Sequence, residues 1–171
     1  MATAVLNRVG EIEVFRHSAG VIHKVVHLNV DDITQEESLI QPQPGGNCMN
    51  WVVGHLVCVY DKLLPLVGQT AVMEEGRLQR YDRGTPQLRD AAEALNLKEL
   101  MTAFDEATAR MDTGLQGLTF ETLDGPAPFS PGNNPEETVR SLLNVIFFHQ
   151  AYHAGQTGLL RRIAGKEGAL R

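Results

Sequence analysis

His149 and His153 stand one helical turn apart in the run Leu142-Leu143-Asn144-Val145-Ile146-Phe147-Phe148-His149-Gln150-Ala151-Tyr152-His153. Positions i and i+4 share one face of a helix. The apolar stripe Val139, Leu142, Leu143, Ile146 and Leu160 follows the helical period, and the two histidines continue it. Both imidazoles therefore face the core, where a polar ring needs a partner. His55 lies in a second strongly helical segment. Three imidazoles meeting inside a helix bundle make a metal site with room for water or substrate. Hydrogen-bonded core histidines are the alternative, and spacing alone does not decide between the two.

Three neutral imidazoles suit zinc, nickel, cobalt or ferrous iron, and three protein ligands leave a fourth position open. A water there has its pKa lowered toward ~7 and becomes a hydroxide nucleophile. The same position accepts a substrate thiolate. By helical spacing Gln156 falls on the side of His153, and Gln150 and Tyr152 flank the pair, so each is a candidate to hydrogen-bond an imidazole or a bound ligand. Gln156 and Tyr152 are the candidate catalytic residues. Cys58 and Asp61 follow His55 in the same helix; Cys58 is a conceivable fourth ligand, though a small buried apolar role suits it better. Gly54, inside a helix where glycine costs about 1 kcal/mol against alanine, marks close packing of a neighbour or a ligand. Trp51 reads as core.

A second pair at the same spacing, His23 and His27, is rotated about 100° from the centre of the stripe Ile12, Phe15, Ala19, Ile22, Val26 and reads as residues at the boundary of that apolar face. His17 has no partner at metal spacing and belongs at the surface. Arg77, Arg80, Arg83 and Arg89, with Tyr81 among them, lie in a long linker. They are either a solvated charged loop paired with Glu74, Glu75 and Asp82, or guanidiniums that close over the site and bind substrate carboxylates. The chain holds no Gly-rich phosphate loop, nucleophile elbow or serine triad pattern.

The elements that position these residues are helices. The 171 residues, 43% hydrophobic and 21% charged, fit one domain spanning 1–171 that buries a full core. A net charge of −6 argues against a polyanion-binding surface and so against nucleic acid. Cys48 and Cys58 stand about 15 Å apart along one helix, too far to pair. No apolar run approaches the ~20 residues of a membrane span, and no secretory h-region leads the chain. The expectation is a cytoplasmic protein with reduced thiols.

The first helix runs from about Leu6 to Asn29, and Thr34 with Glu37 has the form of a capping box. The second helix opens at Asn47 as N-cap and ends near Gly68, weakened at Pro65. The third opens at Asn96, with Glu99 at the reciprocal capping position, and ends at Gly117. The fourth opens at Asn134 with Pro135 at its first position and runs to Ala164 and Gly165. The linker from Gly68 to Leu95 is about 28 residues long, and an extended chain covers ~3.3 Å per residue, enough to run the length of a ~30 Å helix. Helices two and three are thus free to be parallel, giving an all-α, up-down-down-up four-helix bundle. The connection from Leu118 to Asn133 reads as a long surface loop.

Three segments together carry a family resemblance. They are Pro44-Gly45-Gly46-Asn47 through Asn50-Trp51-Val52-Val53-Gly54-His55-Leu56; Tyr81-Asp82-Arg83-Gly84-Thr85-Pro86; and Phe148-His149-Gln150-Ala151-Tyr152-His153-Ala154-Gly155-Gln156 through Arg162. In this order and spacing, with the four helices, the chain resembles the DinB/YfiT-like superfamily over nearly its whole length. The resemblance implies the up-down-down-up bundle, a three-histidine metal site at His55, His149 and His153, zinc or nickel as the ion, and a homodimer. Characterised members include metal-dependent transferases and isomerases that use low-molecular-weight thiols such as mycothiol or bacillithiol. Three functions follow as expectations: a thiol-dependent transferase or isomerase, a metallohydrolase using the same open site, or a non-catalytic stress-response bundle whose metal is structural or absent.

Overall fold

The computed structural model describes residues 2–88 and 90–170, with side chains from residue 10 onward. Its helices are α1 (Ala2–Val30), α2 (Gln35–Ser38), α3 (Met49–Leu63), α4 (Leu97–Gln116), α5 (Phe120–Asp124) and α6 (Val139–Ile163). The described residues contain no strand; one isolated antiparallel bridge joins Pro126 to Thr138.

Cross-helix contacts fix the directions of the four long helices. Glu11 pairs with Arg140 near the start of α1 and α6, and Asn29 Nδ2 donates to Thr157 Oγ1 (3.0 Å) near their ends, so these two run parallel. Arg16 pairs with Asp112 (2.8 Å) and His27 with the earlier Asp105, so α4 runs against α1. Asn50 Nδ2 donates to the Leu95 carbonyl (2.9 Å) and Tyr60 stacks on Phe104, so α3 and α4 advance together. The bundle is therefore up-down-down-up, with α1 between α4 and α6, and α3 between the same two on the opposite side. The stripe read from the sequence is its core: Phe15, Ala19, Ile22 and Val26 of α1 and Leu142, Leu143 and Ile146 of α6 are buried.

Several helix ends differ from the sequence expectation. The N-cap of α3 is Cys48, extended and without a side-chain cap, rather than Asn47. Gly46 (φ +129°) turns the preceding loop, and the Gly46 carbonyl accepts from Gln87 Nε2, which leaves Asn47 outside the helix at the wall of a cavity. Asn96 caps α4 through Lys98 N (2.9 Å), but Glu99 does not return the bond; it pairs with Arg77. α6 begins at Val139, not after Asn134, because Thr138 and Ser141 form a capping box. Asn134 Oδ1 instead accepts from Glu136 N (3.1 Å) in a turn before the helix. The Leu118–Asn133 connection is not wholly loop, since α5 forms within it and buries Leu123. The Thr34–Glu37 capping box and the Gly165 stop (φ +82°) stand as read. Pro65 opens a 3-10 turn, Leu64–Val67, that continues α3 to Gly68.

Candidate metal centre

α3 and α6 bring His55, His149 and His153 together, with one ring nitrogen from each within 4.8 Å of the others. His149 Nε2 stands 3.3 Å from His55 Nε2 and 3.1 Å from His153 Nε2. The i, i+4 spacing on α6 supplies two of the rings, and α3 places the third opposite.

The outer nitrogens decide what these inner ones can do. His55 Nδ1 lies 2.7 Å from the Tyr81 carbonyl, which can only accept, so the proton sits on Nδ1 and the neutral ring turns a lone pair inward from Nε2. His153 Nδ1 donates likewise to Gln156 Oε1 (2.8 Å). His149 Nδ1 is buried with no partner among the described residues. Burial, first, and then the neighbouring imidazoles and Arg83 push the His149 pKa down to about 4. Burial also lowers those of His55 and His153. All three rings are thus neutral near pH 7, the form that ligates metals. Inward lone pairs held this close repel unless a proton or a cation stands between them, and the donor set fits a divalent transition-metal ion.

The site opens into a cavity of about 710 Å³ whose wall carries the three histidines, Trp51, Arg83 and Gln156. Trp51 stacks on His55 at a 4.7 Å centroid distance and donates from Nε1 to Thr85 Oγ1 (3.2 Å). It is core, as expected, but also part of the site. Val145, Ile146 and Leu159 of α6 and Phe129 and Pro131 of the α5–α6 connection make the wall largely apolar. At the rim Lys62 pairs with Asp82 (2.6 Å), and this contact first of all lowers the Asp82 pKa.

Other residues singled out from the sequence lie elsewhere. Gln150 does not reach an imidazole; it is buried on the next face of α6 and donates to the Leu56 carbonyl (3.1 Å). Tyr152 is 59% exposed and meets His153 edge-on at 5.4 Å from outside the cavity wall. Cys58 is buried, outside the histidine cluster, and its thiol pKa is pushed up to about 11 by burial. Asp61 accepts from Val72 N (2.8 Å) and Met73 N (3.2 Å) and so anchors the linker. Of the linker arginines, Arg77 pairs with Glu99 and Arg80 with Glu93, while Arg83 faces the cavity. Arg89 lies outside the described residues. His17 is exposed, as expected.

Sequence reasoning missed the full part of Tyr81. The ring of this fully buried side chain fills the space beside Gly54, its carbonyl orients His55, and its hydroxyl donates to Asn50 Oδ1 (2.9 Å). Gly54 in a helix interior signalled a close neighbour, but a tyrosine from a linker has no periodicity that would name it as that neighbour.

Fold and site together define an all-helical bundle with a partly buried three-histidine cluster compatible with metal binding. The sequence matches the DinB superfamily over residues 21–157, and the chain belongs to that family. Among solved structures, it is similar to one described as the conserved protein of locus from Enterococcus faecalis. That match has 17% identity and a TM-score of 0.70, and it covers 90% of this chain and 97% of the other. It bears on the fold alone. No curated protein matches the sequence.

Proposed function

We propose that the protein is a metal-dependent enzyme acting on or with a low-molecular-weight thiol, with His55, His149 and His153 as ligands of a zinc or nickel ion. The observation that carries this reading is the meeting of three neutral imidazoles on the wall of an open cavity. A divalent ion held there would supply Lewis acidity that lowers the pKa of a thiol at its open position.

The chain's own residues supply the rest. The Tyr81 carbonyl and Gln156 fix which nitrogen of His55 and His153 is free. Trp51, Ile146 and Phe129 shape an apolar wall for the apolar part of a substrate. Arg83, exposed at the wall and without an acid partner among the described residues, is placed to bind an anionic group on the substrate or the thiol. Thiol transfer suits this site better than hydrolysis, because the carboxylate on its wall, Asp82, is tied to Lys62 rather than free to act as a base.

The test is a turnover screen of untagged, metal-loaded protein with small thiols and electrophilic acceptors. The reading predicts activity that requires a thiol, disappears on chelation and returns with zinc or nickel. It also predicts that Arg83→Ala raises KM about tenfold with little change in kcat. Turnover of esters or amides without any thiol would contradict it in favour of a hydrolase.

A further inference from the structure

On the opposite side of the bundle, α1 and α4 bring together a second group of metal-ligating atoms: His23, His27 and Asp105. Nε2 of His23 lies 2.8 Å and Nε2 of His27 2.5 Å from the same carboxylate oxygen, Asp105 Oδ1. The two rings are one helical turn apart, with centroids separated by 4.4 Å. His23 is held in place by stacking on the buried Phe104 at 5.6 Å and 21°. The side chains are 33%, 41% and 50% exposed, so an ion from solvent can reach all three.

We propose that His23, His27 and Asp105 form a second site for a divalent transition-metal ion, on the α1–α4 face and independent of the three-histidine cluster. Two imidazoles and one carboxylate are a donor set for zinc, nickel, copper or ferrous iron. Without an ion, two N–H groups crowd a single oxygen, while Asp105 Oδ2 accepts no hydrogen bond among the described residues. One cation in place of the two protons satisfies both rings and the carboxylate at once. It also fastens α1 to α4 across the bundle. The remaining coordination positions face solvent, so the ion held here exchanges and carries water or an external ligand. The sequence showed the i, i+4 pair but not its third member, because Asp105 joins it only through the antiparallel packing of α4 on α1.

Chelator-treated, untagged protein titrated with zinc sulfate, and separately with nickel, tests the assignment by calorimetry and elemental analysis. The protein carrying His149→Ala and His153→Ala keeps about one zinc per chain, bound tighter than about 1 mM. Adding His23→Ala and His27→Ala removes it. Asp105→Asn, which preserves a hydrogen-bond acceptor for both rings, weakens that binding about tenfold or more while the helical circular dichroism stays unchanged. If the three-histidine cluster holds no metal, wild type and the His149→Ala/His153→Ala protein bind the same single ion, and only the α1 substitutions abolish it. No zinc in the His149→Ala/His153→Ala protein, or zinc that is indifferent to His23→Ala/His27→Ala and to Asp105→Asn, overturns the proposal.

Discussion

Gly54 and Tyr81 show how far one residue reaches into the site. A Cβ on Gly54 would stand 2.2 Å from Tyr81 Cδ1, inside any tolerable contact with a ring. Tyr81 has little room to move, since its hydroxyl donates to Asn50 Oδ1 and accepts from Leu95 N. Its carbonyl in turn holds His55. Gly54→Ala should therefore destabilise the protein by about 1–3 kcal/mol through overpacking and weaken metal binding at the same time. Gly155→Ala is the matched control, because the space beside Gly155 is open and alanine gains helix propensity there. Urea unfolding of both variants checks this, and equal effects would contradict it. The histidines themselves were legible because helical spacing is a local property. Their second nitrogens were half legible: Gln156 follows His153 by one turn, whereas the Tyr81 carbonyl comes from a distant linker.

At the scale of elements, the start of α6 was misplaced because the sequence offers two acceptable caps there. Asn134-Pro135-Glu136-Glu137 and Thr138-Val139-Arg140-Ser141 each satisfy local rules for opening α6. Tertiary contacts chose the second. Val139 N donates to the Gly125 carbonyl (3.0 Å), and Ala127 N donates to the Glu137 carbonyl (2.8 Å), which keeps the segment before Thr138 extended against Pro126. Glu137 accepts from Ser141, first, and from Ser130, which lowers its pKa and holds the turn. Thr138→Ala should accordingly cost about 1 kcal/mol of stability, and Asn134→Ala only a few tenths. A reversed order in their unfolding midpoints would mean that α6 starts earlier than the structure has it. The same logic applies at Asn47, where glycines and a contact from Gln87 pull a good capping residue out of the helix.

For the whole molecule, linker length allowed parallel α3 and α4, and the packing of Asn50, Tyr60 and Phe104 realises it. The stripe periodicities placed the inner faces of α1 and α6 correctly, but which helices adjoin, and so the meeting of His23 and His27 with Asp105, is a property of the assembled bundle. Metal-free protein should also show a pH dependence that follows from the site. His149 titrates near 4 when folded, against about 6.5 in an unfolded chain. Between those values the unfolded state binds more protons, so stability is full above about pH 6.5 and is lost as pH falls toward 4. Urea unfolding at pH 7, 6 and 5 in the presence of chelator checks this. The decline should be shallower in His149→Gln, and a protein equally stable at pH 7 and 5 would contradict the buried neutral cluster.

The central claim is that His55, His149 and His153 hold a metal ion, and metal content tests it most directly. Untagged wild-type protein should bind zinc or nickel in the micromolar range or tighter, with a Kd below about 1 µM. The His149→Ala/His153→Ala protein should lose that tight ion and keep only weaker binding elsewhere. A wild-type protein that takes up neither zinc nor nickel with such affinity, or a double variant that binds as many tight ions per chain as wild type, would contradict the claim and leave the three histidines as paired residues of the core.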